Sequence, residues 1–154
     1  MNLPEYIPVA EVQRVCAELH IRDWTQLREA VVELAEAEKI QAVIGAEASQ
    51  ISAADFQLGL EVELEHGLTF PDANVTNNHP ILTGLIVLAH LKEMLDYYVR
   101  LEVAELEGDM LRALESGNAE KLAQKYRLLI EARAVLANRE KARLPGSAPQ
   151  AGDR

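Results

Sequence analysis

One cysteine, Cys16, stands in a chain of 154 residues, so no disulfide can form within it, and a reducing, cytoplasmic setting is the expectation. Aromatic residues make up only 5% and glycine and proline are few. With glutamate, alanine and leucine abundant, that scarcity of glycine and proline favours helix by propensity. Positive charge is short as well. With a formal net charge of -10 and a pI of about 4.8, the surface repels phosphate backbones and anionic lipid, which excludes nucleic acid and membrane as partners. The longest apolar run, Pro80 to Leu91, stops short of the roughly 20 residues that a membrane span needs. The start of the chain is acidic and broken by Pro4 and Pro8, unlike a secretory leader. No Gly-x-Ser-x-Gly, glycine-rich phosphate loop or Cys-His pairing offers a nucleophile.

What is present is leucine, alanine, valine and glutamate in helical order. Val9, Val12, Val15, Cys16 and Leu19 predict a short first helix. Leu27, Val31, Leu34 and Ala35 begin a second stripe, capped by Asp23 or Thr25, extended through Ile44 and stopped at Gly45. Ser52 opens a third segment. There Phe56, Leu58, Leu60, Val62 and Leu64 alternate with polar residues as in a strand, but the cap, the glutamates and the lack of a pairing strand favour helix, ending at Gly67. Asp72 to Thr76 imitates the start of a calcium loop but lacks its glycine and its final acid, so its asparagines read as turn and cap residues. His79, before a proline, and His20, at a helix end, read as exposed. Pro80 starts a long helix to about Glu107, apolar all round at first and hence covered, with Lys92, Asp96 and Arg100 as a water-facing ladder. Asp109 caps a short helix to Glu115. Ala119 to Arg143 forms the last helix, with Leu122, Tyr126, Leu129, Ile130, Ala134 and Leu136 facing inward. The fold class is therefore all-α: a bundle of four to six helices, ferritin-like or hemerythrin-like in character, forming one domain over 1–143 with a disordered tail at 144–154.

Two segments place a carboxylate and an imidazole one helical turn apart: Glu63 with His66, and His90 with Glu93. The second pair lies in the most apolar stretch of the chain, Pro80 to Leu91, where an unpartnered ionisable group is costly. Two histidines and two glutamates suit iron, with zinc or manganese as alternatives. Di-iron bundles repeat Glu-x-x-His in one direction, whereas here the second pair is reversed. The expected site is therefore mononuclear, or shared between protomers with Glu61, Glu65, Glu102 or Glu105 completing it. Tyr97 and Tyr98 follow on the same predicted helix and stand behind the ligands. The rival reading is a structural Glu/His network in a non-catalytic helical scaffold. In that reading the C-terminal helix docks a protein partner or a second copy.

The stretch Phe56–Gly67, with its Glu61-Val-Glu63-Leu-Glu65-His66, then Asn74-Val-Thr76-Asn77, then Ala89-His90-Leu-Lys-Glu93 leading to Asp96-Tyr97-Tyr98, resembles a family of small bacterial proteins of unknown function. The resemblance covers about a third of the chain, Phe56 to about Glu105. It implies a helical fold and a shared site at Glu63, Glu65, His66, His90, Glu93 and Tyr97 or Tyr98, and no particular reaction. It also implies that Trp24 to Gln50 and the long C-terminal helix are additions to the family.

Overall fold

The structure, a computed structural model, describes residues 7–145. The extended start expected at Pro4 lies outside them, as does the tail from 146 onward. Among the described residues all regular structure is helical: α1 (Val9–Glu18), α2 (Leu34–Ile44), α3 (Ala46–Ser49), α4 (Ala53–Thr69), α5 (Pro80–Glu93), α6 (Tyr97–Glu115) and α7 (Ala119–Arg143), with one 3-10 turn at Trp24–Gln26. None of these helices is long and apolar enough to cross a membrane. The chain divides into two compact units, Met1–Leu95 and Asp96–Arg154.

In the first unit α5 packs against α1, α2 and α4, and α4 also lies on α2. Its core is Val12, Cys16, Trp24, Val32, Ile40, Phe56, Leu60, Leu64, Val87 and Leu91. The alternating segment is helix. Ser52 Oγ accepts from Asp55 N at 3.1 Å, and Phe56, Leu60 and Leu64 are buried at a spacing of four, leaving Leu58 and Val62 at the edges of the buried face. Helix α4 runs past Gly67 to Thr69.

Several expectations change. Residues 27–33 are not helical, because their polar groups have better partners elsewhere. Val32 N donates to Glu61 Oε1 at 3.0 Å and Gln57 Nε2 donates to Val32 O at 2.6 Å, so this strip is strapped to α4. Buried Glu36 accepts from Arg22 N, Nε and Nη2 at 3.0, 3.1 and 2.6 Å. The expected 80–107 helix is two helices. Met94 N closes α5 on His90 O, Met94 itself is extended, and Arg100 N opens the next helix on Asp96 O. Asp96 does not face water: it is 2% exposed and accepts from Arg100 Nη2 at 2.9 Å and Arg143 Nη1 at 3.1 Å. Burial pushes its carboxyl up, but the arginine bond and charges outweigh that and hold it below the usual range. Nor is α5 covered all round, since Leu85, Ile86 and Ala89 are exposed.

The second unit is an antiparallel hairpin of α6 and α7. Asp109 lies inside α6 rather than capping a new helix, and pairs with Arg112 and Lys125, both at 2.6 Å. One cluster of its core is Leu106, Leu129 and Ala132, flanked by Val103 and Met110, and Tyr98, Val99 and Ala113 of α6 are buried as well. Tyr126 and Ile130, expected inward, are half exposed, as are Leu111 and Leu114.

Candidate functional site

Glu63 is the centre of the arrangement. It sits near the end of α4 with its side chain 17% exposed, and its two carboxylate oxygens face two imidazoles. Oε2 is 3.9 Å from His66 Nδ1, one turn further along the same helix, and Oε1 is 3.6 Å from His90 Nε2 on α5. Both separations exceed an ordinary N–H···O hydrogen bond of about 2.9 Å. His66 is half exposed at the edge and His90 is one-third exposed. Packing of α4 on α5 sets the distance across which Glu63 and His90 face each other.

Beside this trio lies a cleft of about 330 Å³ whose walls include Glu63, His66, Phe70, Asn74, Thr76 and Thr83. Its rim is built by the loop from Phe70 to His79. Phe70 N caps α4 on His66 O at 2.9 Å. Asn74 Nδ2 donates to Gly67 O at 3.2 Å and to Asn78 Oδ1 at 2.9 Å, while Asn74 Oδ1 accepts from Asn78 N and Thr76 Oγ1, both at 3.3 Å. Asn77 and Asn78 adopt left-handed backbone (φ 49° and 59°), which asparagine tolerates better than most residues. Gly67 is required by this closeness. A Cβ there would collide with Asn78 Oδ1 and lie 2.9 Å from Asn74 Nδ2. His79 is buried rather than exposed. It caps α5, with Nδ1 accepting from Leu82 N at 3.3 Å.

The other expected residues are exposed or engaged in other contacts. Glu93 is the last residue of α5 and is exposed, as is Glu65. Glu61 spends its carboxylate on Val32 N. Tyr97 and Tyr98 begin α6 in the second unit, their rings edge to face with centroids 5.1 Å apart, and Glu102 and Glu105 are exposed on the same helix. Among the described residues no group of three or more His, Cys, Asp or Glu side chains is placed to hold a metal ion as it stands. Asn74, Asn78, Gly67 and Thr83 are the residues that sequence reasoning did not assign to a site. The one available signal was the run of asparagines before His79-Pro80. What the arrangement offers chemically is one carboxylate flanked by two imidazoles, with the carboxylate and one imidazole, His66, lining a small cleft.

No curated protein and no solved structure matches the chain. A family profile matches residues 12–107, which takes in α1 to α5 and most of α6. Residues 24–50, expected from the resemblance to be an addition, are thus part of the family, while α7 lies beyond the match. With well over half its length matched, the chain belongs to the family described as Protein of unknown function (DUF5661).

Proposed function

We propose that the protein binds a divalent metal through Glu63, His66 and His90, with iron the leading candidate and zinc or manganese the alternatives. The observation that carries this reading is that one carboxylate faces imidazoles from two helices. A tetrahedral zinc at about 2.0–2.2 Å from its ligands sets them roughly 3.3–3.5 Å apart, and the octahedral geometry of an iron or manganese site sets them closer still. The carboxylate–imidazole distances of 3.6 and 3.9 Å are a few tenths longer, so binding requires the ligands to draw in. Half-exposed His66 is the side chain with room to move. Two histidines and one carboxylate form the ligand set of non-haem iron sites that keep open positions. Here those positions would face the cleft, where a small molecule such as oxygen or peroxide could bind. Glu93, exposed at the end of α5, has no part in this version of the site.

The test is metal content per chain by elemental mass spectrometry, after purification without chelator and again after adding ferrous iron, zinc or manganese. About one metal per chain is expected. It should fall at least tenfold in Glu63→Gln, His66→Ala and His90→Ala and be unchanged in Glu93→Ala. Protein that takes up none of the three metals would overturn the reading.

A second reading, a helical interaction protein in which the Glu/His trio only sets helix register, is favoured by the exposed apolar side chains of the α6–α7 hairpin. Under it, His90→Ala lowers stability and leaves metal content at background.

A further inference from the structure

We infer that the α6–α7 hairpin is a self-association surface, one face of which packs on the same face of a second copy to make an antiparallel four-helix bundle. The face is defined by an ion pair between the two helices, Arg133 Nη2 to Glu107 Oε1 at 2.6 Å, both side chains about half exposed. Residues three, four or seven apart share one side of a helix. Leu111 and Leu114 follow Glu107 by four and seven, and Tyr126 and Ile130 precede Arg133 by seven and three. All four therefore lie on the Glu107–Arg133 side, and they are 57%, 64%, 52% and 50% exposed. The Lys125–Asp109 pair joins the same two helices, and Leu128, three residues after Lys125, turns to that pair's side.

Three observations select a second copy as the occupant. First, among the described residues the two helices bury six apolar side chains, Tyr98, Val99, Leu106, Ala113, Leu129 and Ala132, with only the last two on α7, thin support for helices of 19 and 25 residues. Second, residues 96–143 carry nine acidic and nine basic side chains, whereas residues 1–95 carry fifteen acidic and five basic. The hairpin is thus the charge-balanced part of a chain of net charge -10, the part that two copies can bring together without repulsion. Third, the face is complementary to itself. A two-fold axis running along the hairpin lays α6 over α7 of the second copy, Glu107 opposite Arg133 of the second copy and the leucines toward Tyr126 of the second copy. Run along the whole of α6, about 28 Å, and across two helices, about 20 Å, the contact would cover roughly 560 Å² in projection. That is of the order of the ~800 Å² that each partner gives to a stable interface.

The experiment is sedimentation equilibrium of the full chain across a concentration series, with circular dichroism to confirm helix content. A species of twice 17.1 kDa is expected. Ile130→Glu and Leu111→Glu, both at exposed positions, should raise the dissociation constant about tenfold or more while helix content holds. Glu107→Arg should weaken the dimer, and adding Arg133→Glu should recover it. Leu128→Glu, on the other side, should leave it intact. A monomer at all concentrations, a dimer indifferent to Ile130→Glu and Leu111→Glu, or equal loss in Leu128→Glu would each overturn the assignment.

Discussion

His79 shows how much one side chain can hold. Its imidazole is 8% exposed, and its Nδ1 receives the Leu82 N–H at the start of α5, so that nitrogen must be without a proton. Burial pushes its pKa below the ordinary value, with Arg14 pushing the same way and Glu11 of α1 opposing. The sign follows from linkage. A histidine whose folded pKa is depressed binds protons more readily when unfolded, so stability is full above the unfolded value of about 6.5 and is lost as pH falls below it. His79→Asn keeps an acceptor suited to a helix cap and removes the titration. Urea denaturation at pH 7.5 and pH 5 should therefore show a larger loss of stability in the wild type than in His79→Asn. Parallel losses in the two proteins would remove His79 as the cause.

Between helices, α5 comes close to its neighbours at Gly84. A Cβ on that residue would come within 2.6 Å of Ile44 Cδ1, 2.7 Å of Ile40 Cγ2 and 3.3 Å of Phe56 Cζ, so α5 sits tight against α2 and α4 because nothing projects there. Ile40 and Phe56 are fully buried and have little room to retreat. Gly84→Ala gains helix propensity of about 1 kcal/mol but overpacks this seam at a cost of roughly 1–3 kcal/mol. Net destabilisation is the expected outcome, read from the urea midpoint. A variant more stable than the wild type would mean that the helices separate without penalty. The same seam explains what the sequence disclosed and what it withheld. Helix type, the Ser52 cap, the Gly45 stop and the span of α7 follow from local signals and were legible. The break at Met94–Asp96 was not, because Met, Leu and Asp all tolerate helix. Periodicity read Asp96 as water-facing, whereas it is a buried carboxylate paired with arginines four and forty-seven residues away. Likewise, the facing of Glu63 and His66 one turn apart was readable from spacing. That Glu63 rather than Glu93 faces His90 depends on how α4 packs on α5, which no periodicity encodes.

At the scale of the molecule the charge is divided as unevenly as the contacts. All of the net -10 falls in residues 1–95, in which acids outnumber bases three to one, while the hairpin is balanced. Some of that excess is bound up usefully: Glu36 is buried under Arg22, and Glu61 holds a backbone amide. Most of the rest is exposed and repels itself. Screening length falls from about 30 Å at 0.01 M salt to about 3 Å at 1 M, so added salt should relieve this repulsion more than it weakens the few exposed pairs, such as Lys92–Glu47. Thermal melting in 20 mM and 500 mM sodium chloride should then show a rise in Tm of roughly 2–5 °C, equivalent to about 1 kcal/mol in a chain of this size. A Tm that falls would mean that exposed ion pairs outweigh the repulsion. Because the self-association surface lies on the balanced part, its dissociation constant should change by less than about threefold over the same salt range, far less than an interface between surfaces of opposite net charge would. A dimer lost steeply with salt would place the contact on the charged unit instead.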